Sequence, residues 1–478
     1  MGRKRKNQQG NFNTATLLDG TILYYEPDPI GEGQDGIVYF VEGRKEVLKF
    51  FKNHAQNADP EIKIRIEKIV NVFNPTLDPE SGKYWAELYR WPNDIVILPS
   101  LGVKIPTYQS NFFFKDKDKG EKILSWFISP IPKIRATVPD DERGTWLGHL
   151  QIAILMARAT RRLHTAGLAH SDLSYKNFLA DPAKGTLIMI DLDGLVVPGV
   201  HPPKVAGSPG LMAPEVVMGK AEPSIRTDLH TLAVLIYQTL LFRHPLKGPK
   251  VHAHNTDEDE RLALGEKALF IEHPTDHSNR PKGIQNSYKI LGPFLSSLIE
   301  RSFITSLQDP NNRPTAIEWE QALVKSMDIL VPCSNQKCEK KWFIMGDFHS
   351  SCPWCHTKIP YKTLPLLYFF KEQGGKKGHY IYEAQNMIVW NGRRVHKWHV
   401  YDNIWPGERV NKTEYGYFQY HQGEWYLVNT GMLGTIIANG FMSNFNPGSQ
   451  IHLTQGLQIK LSNQDHGRLV QTHMIKIL

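Results

Sequence analysis

The segment AHSDLSYKNFL, residues 169–179, constrains the fold of this chain more than any other part of the sequence. It follows an amphipathic pattern from about Thr145 to Ala166 that predicts a long helix. Asp172 and Asn177 stand in an H-x-D-x-x-x-x-N pattern, and fourteen residues after Asn177 the apolar strand LIMI ends on Asp191. Any fold proposed for this chain must therefore account for a long helix, a polar loop, a strand and an aspartate in this order.

A glycine-rich pattern lies near the N-terminus, in the segment GEGQDGIVY between two predicted strands. Its residues are Gly31, Gly33, Gly36 and Val38. Glycines at these positions let a hairpin tip lie close over a triphosphate, because they present backbone N–H groups without side-chain bulk. An isolated match is more often a surface turn, so the pattern needs support from elsewhere.

That support comes from Lys49 in the strand EVLKFF, thirteen residues after Gly36. A helix predicted from about Pro60 to Phe73 carries Glu67, eighteen residues after Lys49. An ion pair between Lys49 and Glu67 would hold the ammonium group against the α- and β-phosphates of a nucleotide. Glu61 is the alternative partner, but its place in the first helical turn is better explained by the helix dipole.

Three further patterns follow in the second half of the segment up to residue 327. GSPGLMAPE ends on Ala213-Pro214-Glu215, and TDLHTLAVLIY places Asp228 at the start of a buried helix. DPNNRPTA supplies Arg313, which is a suitable buried partner for Glu215. Each pattern alone has an ordinary explanation as a turn, a helix cap or a surface arginine.

Taken in this order, the patterns resemble those of protein kinases over residues 21–327. The resemblance implies an α+β fold with two lobes, an N-lobe at about 21–128 and a C-lobe at about 129–327. It also implies ATP and Mg²⁺ as cofactors and proteins as substrates. Small-molecule phosphotransferases of the aminoglycoside type share the pattern around Asp172, but the A-P-E sequence at Glu215 favours a protein kinase.

The resemblance also implies a role for each matching residue. Asp172 would accept the proton of the attacking hydroxyl, and Asn177 would bind magnesium together with Asp191 or Asp193. Asp191 is preferred, because it directly ends the apolar strand and its spacing from Asn177 fits the pattern better. Asp228 would brace the backbone of the catalytic loop. The nucleotide site would comprise Gly31, Gly33, Gly36, Val38, Lys49, Asn177 and Asp191.

Several positions depart from the kinase pattern. Ser171 replaces the arginine that normally binds a phosphate on the activation segment, and Asp193 replaces the glycine two residues after Asp191. Ser208 is the only hydroxyl residue between Asp191 and Glu215, and its position predicts a structural contact with the catalytic aspartate. These departures leave a pseudokinase scaffold as the alternative, although the lysine, base and metal ligands are all present.

Hydroxyl specificity is left open by the catalytic loop. Ser174 stands where serine/threonine kinases have a lysine, and Lys176 stands where tyrosine kinases carry an arginine. Lys176 is therefore the cation available to the transferred phosphate.

A narrower resemblance is to bacterial kinases encoded beside tellurite-resistance-type proteins. It is carried by the segments RWPNDIVIL and DLHTLAVLIYQTLLFRHP and by the cysteines behind them. That resemblance implies serine/threonine specificity, a signalling or stress-response role, and a PP2C-type phosphatase and a von Willebrand-type domain protein as partners.

All four cysteines fall within a short segment, as Cys333, Cys338, Cys352 and Cys355. The pattern C-x4-C, thirteen intervening residues and C-x2-C predicts two thiolate pairs that together hold a structural zinc ion. His349 and His356 are possible substitutes for one cysteine, and two disulfides are the alternative. Residues 328–360 are expected to form a zinc-ribbon-like module that depends on the metal for folding.

Residues 361–478 contain short β-rich runs separated by Gly, Asn and Pro, which predicts a β-sandwich. EWYLVNTGMLGTIIANG and NPGSQIHLTQGLQIKL resemble the second half of a forkhead-associated domain. Arg409 matches the arginine with which such domains read phosphothreonine, but the serine-x-x-histidine step is missing. The expected role is docking of a protein partner or substrate.

Composition excludes some other functions. Half of the net charge of +8 lies in the basic run Arg3–Lys6, and residues 1–20 are expected to be a flexible tail. Beyond that tail no basic and aromatic stripe indicates nucleic-acid binding. No apolar stretch is long enough for a membrane helix and no apolar segment follows the basic start, so a cytoplasmic location is expected.

Overall fold

The computed structural model describes residues 12–33, 35–52, 61–203, 207–250, 256–345, 350–374, 376, 378–410, 412–438 and 441–477. They divide into two compact units. The first is drawn from residues 1–143, 155–281 and 301–317, and the second from residues 144–154, 282–300 and 318–478. Helical segments expected in the C-lobe thus group with residues beyond 327.

The first unit begins with a seven-stranded antiparallel sheet in the order β2-β1-β6-β7-β5-β4-β3. Its strands are β1 (Asn13–Leu17), β2 (Ile22–Tyr25), β3 (Gly31–Glu32), β4 (Gly36–Phe40), β5 (Glu46–Phe51), β6 (Asp94–Leu98) and β7 (Gly102–Pro106). Leu48 and Val96 are fully buried in one apolar cluster of this sheet. Lys49 lies opposite Val38 on β4 and Val103 on β7, so two strands flank its backbone.

Strand β1 corrects the expectation that residues 1–20 are a flexible tail. Residues 1–11, which include the basic run, lie outside the described part of the chain. Asn13–Leu17 pairs with both β2 and β6, and the side chains of Ala15 and Leu17 are buried. The alternation in this short segment brings only two small or medium apolar residues to the core, so its sequence signal is weak.

The helices that precede the cysteine segment vary from one to more than five turns. They are α1 (Ile62–Asn71), α2 (Gly82–Leu88), α3 (Ile131–Thr137), α4 (Trp146–Thr165), α5 (Pro214–Val217), α6 (Ile225–Leu241), α7 (Thr256–Leu264), α8 (Gly292–Glu300) and α9 (Ala316–Asp328). Helix α1 was expected from about Pro60 to Phe73, and Pro60 lies outside the described residues. Its apolar stripe packs against the sheet through Ile66 and Val70.

Four short strands hold the polar loop between α4 and α6. They are β8 (Ala169–His170), β9 (Phe178–Asp181), β10 (Thr186–Met189) and β11 (Leu195–Val196). β8 pairs with β11, and β9 pairs with β10. Because residues 171–177 and 190–194 connect these two ladders, both ends of the loop are fixed by strand pairing.

The second unit contains the cysteine segment and its short ladder of β12 (Leu330–Pro332) and β13 (Trp342–Ile344). The backbone N–H of Trp146, at the start of α4, donates to Lys340 O at 2.9 Å. A Cβ atom added at Gly292 would lie only 2.8 Å from Ile344 Cγ2, so α8 begins in close contact with this ladder. These contacts explain why parts of the helical region group with the cysteines.

The rest of the second unit is built from two antiparallel sheets. The strands are β14 (Thr363–Glu372), β15 (Tyr380–Ile388), β16 (Arg394–His396), β17 (Glu414–His421), β18 (Glu424–Asn429), β19 (Gly434–Ala438), β20 (Phe441–Phe445), β21 (Gln450–His452), β22 (Gln458–Lys460) and β23 (Leu469–Lys476), with the one-turn helix α10 (Lys397–Val400). One sheet has the order β15-β14-β23-β22-β19-β20 and the other the order β16-β17-β18-β21. Fully buried side chains come from both, among them Phe369 and Phe418.

A buried polar cluster at Asp328, the last residue of α9, joins the helix to the sheets of the same unit. The Asp328 carboxylate accepts hydrogen bonds from Arg393 at 2.9 Å and from Gln385 at 2.9 Å, and His399 Nε2 lies 3.2 Å away. A buried carboxylate with these partners is compensated in charge and hydrogen bonding.

No helix in the described part of the chain is long and apolar enough to span a bilayer.

Candidate active site

A cleft of about 700 Å³ opens beside the glycine hairpin of the first unit, within the size range of small-molecule sites. Gly31, Gly33, Gly36, Val38 and Lys49 line it from the seven-stranded sheet, and Asn177 and Asp191 line it from the loops next to β9 and β10. Gly36 is the glycine whose lack of a side chain matters sterically, because a Cβ atom there would lie 2.9 Å from Phe50 O. The hairpin tip is closed by a hydrogen bond from Gly33 N to Gly36 O at 2.9 Å.

Lys49 lies between two carboxylates at the inner end of this cleft. Its Nζ atom lies 2.7 Å from Asp191 Oδ1 and 2.8 Å from Asp193 Oδ2. The Asp191 side chain is 51% exposed, whereas that of Asp193 is 5% exposed. Asp191 itself adopts a left-handed backbone conformation with φ 61°, and the one-turn 3-10 helix Leu192–Gly194, which contains Asp193, follows it directly.

The charges in this group shift one another's ionisation. Burial opposes the charged amine of Lys49, but Asp193 and Asp191 more than compensate and raise its pKa. The ammonium of Lys49 lowers the pKa of Asp191. Burial raises the pKa of Asp193, because its carboxylate has lost nearly all contact with water.

The expected ion pair between Lys49 and Glu67 is not formed, which corrects the sequence interpretation. Glu67 lies half-buried on α1 and has no ion-pair partner among the described residues. Lys49 pairs with two carboxylates that follow β10. Two nearby negative charges, one of them buried, attract the ammonium more strongly than a single half-exposed glutamate. Glu61, the alternative partner, accepts a hydrogen bond from His201 N at 2.8 Å.

Asp228, at the start of α6, holds the backbone of the loop at residues 170–177. Asp228 Oδ2 accepts a hydrogen bond from His170 N at 2.8 Å and lies 3.0 Å from His164 Nε2. Asn177 Nδ2 donates to Asp172 O at 2.8 Å, which leaves the Asn177 amide oxygen as its ligand atom for a cation. The loop backbone is therefore fixed on both sides of Asp172.

Ser208 donates from Oγ to Asp172 Oδ2 at 3.1 Å. Ser171 donates to Gly194 O at 2.6 Å, so its side chain bonds to the segment after Asp193. Ser174 is fully buried and accepts a hydrogen bond from Lys176 N, whereas the Lys176 side chain is exposed. Lys176 is thus the exposed cation of the loop.

Residues 191–215 correspond to the activation segment in the kinase resemblance, and Arg313 fixes the end of this segment at Glu215. Its two terminal nitrogens donate to both carboxylate oxygens of Glu215, at 2.7 and 2.8 Å, and also to Arg226 O and Leu307 O. The structure therefore joins Glu215 to Arg313, Asp172 to Ser208 and the loop backbone to Asp228.

Sequence reasoning missed three contributors to this region. Gly102 on β7 faces the backbone of Lys49, and a Cβ atom there would lie 2.4 Å from Lys49 O. Arg90 donates to Thr107 O at 3.0 Å on the cleft wall. Arg65 on α1, 2% exposed, donates to His201 O at 2.8 Å. The polar Arg65 within an apolar stripe was a signal that this helix face meets backbone carbonyls.

The four cysteines of the second unit form a separate candidate centre. Their sulfur atoms all lie within 4.8 Å of one another, and Cys338 and Cys352 are buried. The Sγ atoms are 3.5 Å apart for Cys333 and Cys355 and 4.0 Å apart for Cys338 and Cys352, so neither pair is a disulfide. Four sulfurs at 2.3 Å from one tetrahedral ion would lie about 3.8 Å apart, which fits these distances. His349 lies outside the described residues, and His356 is exposed and outside the cluster.

Residues 149–324 match the family model of the protein kinase domain, and this stretch contains Asp172, Asn177, Asp191, Asp228 and Arg313. The chain is 27% identical over 180 residues to the serine/threonine-protein kinase PknD of Chlamydia abortus, a match that covers 33% of this chain and 16% of that protein. It is 33% identical over 119 residues to the rhodopsin kinase GRK7 of Ictidomys tridecemlineatus, covering 24% of this chain and 21% of that protein. A dual serine/threonine and tyrosine protein kinase of Apis mellifera is 29% identical over 93 residues, 20% of this chain and 9% of that protein. The chain thus spans less than a quarter of the length of each of these relatives.

Proposed function

We propose that this protein is an ATP- and Mg²⁺-dependent protein kinase that phosphorylates serine or threonine side chains. The observation that carries the proposal is that Lys49, Asn177 and Asp191 all line the cleft beside the glycine hairpin. Asp172 lies on the same loop as Asn177, and its backbone carbonyl accepts a hydrogen bond from the Asn177 side chain. A cation and two oxygen ligands at a cleft of this size suit a nucleotide triphosphate with its metal.

The chain's own residues divide the reaction between them. Asp172 accepts the proton of the attacking hydroxyl, and Lys49 binds the phosphates from the opposite side of the cleft. Asn177 and Asp191 would hold Mg²⁺, which neutralises charge on the transferred phosphoryl group when bound. The amides of the glycine hairpin lie over the phosphates, and the exposed Lys176 is available to the transferred group.

Incubation of the purified chain with γ-labelled ATP and a generic protein substrate tests this proposal. The wild type is expected to label itself or the substrate, whereas Asp172→Asn loses at least about 100-fold in rate and keeps its ATP affinity. Equal transfer by the Asp172→Asn variant would contradict the role of Asp172. Label found only on a small metabolite would indicate a small-molecule kinase, and no label at all a pseudokinase.

Serine/threonine specificity is supported by the naming of the Chlamydia abortus relative as a serine/threonine kinase. Lys176 is the observation against it, because this lysine stands four residues after Asp172, where tyrosine kinases carry an arginine. Matched peptides that differ only in Ser, Thr or Tyr at the acceptor position separate the alternatives. We expect Ser and Thr to be labelled, and preferential labelling of Tyr would reverse the assignment.

The C-terminal sheets are proposed to form a forkhead-associated-like domain that docks a protein partner or substrate. Asn429 supports this, because its side chain shapes the N-T-G turn after β18: Oδ1 accepts from Gly431 N and Met432 N, and Nδ2 donates to Met432 O and Phe445 O. Arg409 is exposed on the loop between α10 and β17. Titration with a phosphothreonine peptide library, with Arg409→Ala as control, tests phosphopeptide binding. No binding by the wild type would leave docking without phosphate recognition.

The cellular setting is proposed from the resemblance to bacterial kinases encoded beside tellurite-resistance-type proteins. A PP2C-type phosphatase and a von Willebrand-type domain protein would be the partners, and the cytoplasm the compartment. The four unpaired thiols support a reducing compartment. Copurification of the chain with a PP2C-type phosphatase and a von Willebrand-type domain protein, followed by dephosphorylation of its autophosphorylated form, tests the partnership.

A further inference from the structure

Asp193 is a buried carboxylate that the kinase pattern does not contain. Both of its oxygens contact Lys49 Nζ, Oδ2 at 2.8 Å and Oδ1 at 3.0 Å, and its side chain is 5% exposed. It lines the same cleft as the more exposed Asp191, two residues further along the chain. A carboxylate this buried requires a compensating cation, and Lys49 is its ion-pair partner among the described residues.

The two aspartates differ in what they are able to do. Asp191 is half-exposed towards the cleft, so a metal ion can replace Lys49 as its partner without leaving a buried charge behind. Asp193 has no such freedom, because withdrawal of Lys49 would leave an uncompensated carboxylate away from water. The contact between Lys49 and Asp193 is therefore the one that must persist when the cleft is occupied.

Helix α1, which carries Glu67, is meanwhile bonded elsewhere. Glu61 accepts from His201 N, Arg65 donates to His201 O, and Lys68 donates to Pro198 O at 3.3 Å. These contacts fix the helix to the activation segment by side chains other than Glu67. The position of the helix does not depend on an ion pair with Lys49.

We propose that Asp193 is the positioning residue that holds Lys49 against the nucleotide phosphates, in the part that kinases assign to a glutamate on this helix. The inference rests on the proposed kinase function for its catalytic consequence. The orientation itself does not depend on catalysis, because the Lys49 ammonium is held by a carboxylate from the same loop that supplies the metal ligand. Glu67 is not required for that orientation.

Binding measurements test the inference without reference to catalysis. ATP and adenosine affinities are compared for the wild type, Asp193→Asn and Glu67→Gln, because adenosine lacks the phosphates that Lys49 contacts. Asp193→Asn is expected to weaken ATP binding about tenfold and leave adenosine binding unchanged. Glu67→Gln is expected to stay within about threefold of the wild type for both ligands. Equal loss of adenosine binding in Asp193→Asn, or loss of ATP binding in Glu67→Gln, would overturn the proposal.

A double-mutant cycle with Lys49→Met then tests whether Asp193 acts through the lysine. Lys49→Met and Lys49→Met/Asp193→Asn are expected to bind ATP equally, and the double variant to unfold at a higher temperature than Lys49→Met alone, because it removes the orphaned carboxylate. A further loss of ATP affinity in the double variant would overturn the proposal. In the transfer assay, Asp193→Asn should lower kcat/KM about 100-fold. If the wild type transfers no phosphate, the kinase proposal fails, but the binding cycle still decides the role of Asp193.

Discussion

Arg313 and Glu215 form a two-point ion pair across 98 residues of sequence, with nitrogen–oxygen distances of 2.7 and 2.8 Å. The Arg313 side chain is 1% exposed and that of Glu215 is 13% exposed. The pair links the end of the activation segment to the segment before α9. Removal of one partner would leave the other charge buried without compensation.

Arg313→Leu is therefore expected to lower the free energy of unfolding of this part of the chain by about 3–5 kcal/mol. Urea unfolding followed by tryptophan fluorescence measures the change. Lys115→Ala is the matched control, since its ion pair with Asp141 is largely exposed and its loss should have little effect. An equal response of the two variants would show that burial does not strengthen the Arg313 contact.

Ser208 is expected to be a structural hydroxyl and not an activating phosphosite. Its Oγ atom donates to Asp172 Oδ2, and Ser171, at the usual arginine position, donates to Gly194 O. Ser208→Ala should cost about tenfold or less in kcat, equivalent to one hydrogen bond. Ser208→Glu should cost at least about 100-fold, because it brings a second carboxylate to Asp172. Higher activity in Ser208→Glu would refute this prediction.

The cysteine cluster is expected to hold about one zinc ion per chain. Elemental analysis of protein purified without added metal measures the content, and cobalt substitution should give the absorption bands of a tetrahedral thiolate site. Cys352→Ser should abolish both signals and lower the unfolding temperature, because the metal contributes folding free energy. His356→Ala is the control and should change neither. Disulfides detected by mass spectrometry in place of metal would contradict the prediction.

His244 should make the protein less stable in acid. Its Nδ1 atom accepts hydrogen bonds from Leu246 N and Lys247 N, so Nε2 carries the proton and donates to Gly210 O at 2.9 Å. Burial lowers the pKa of His244 from 6.5 to about 3. The unfolded chain therefore takes up a proton below about pH 6.5 that the folded chain rejects, and stability falls as the pH drops from there towards 3.

The expected slope from this residue is about 1.4 kcal/mol per pH unit between pH 6 and 4. Urea unfolding at several pH values measures it. His244→Gln keeps a donor for Gly210 O but cannot take up the proton, so its slope should be smaller by about that amount. Parallel slopes in the two proteins would exclude His244 as the source.

The contacts that the sequence predicted best join residues of the recognised motifs. Asp172, Asn177 and Ser208 lie on two segments whose ends are pinned by strand pairs and by Asp228, so the motif order determines which side chains meet. The pairing of Arg313 with Glu215 was predicted from the two motifs in which these residues stand, GSPGLMAPE and DPNNRPTA. In these cases the backbone geometry and the electrostatic interactions favour the same pairs of residues.

The partner of Lys49 was not predictable in this way. The distance from Lys49 to Glu67 depends on where α1 lies, and that is decided by Arg65 and Glu61 against the backbone of the activation segment. Spacing along the chain carries no information about such contacts. Asp193 was visible as a departure from the pattern, but its burial, which determines its role, appears only in three dimensions.

The bonds from α1 to the activation segment have a consequence for how freely this segment can change in sequence. Glu61 and Arg65 bond to the N–H and C=O of residue 201, and Lys68 bonds to the C=O of residue 198. Every amino acid offers that carbonyl, and every one except proline offers that N–H. Substitutions at His201 other than proline therefore preserve the attachment, so the surface that this segment presents can diversify while the helix keeps its place.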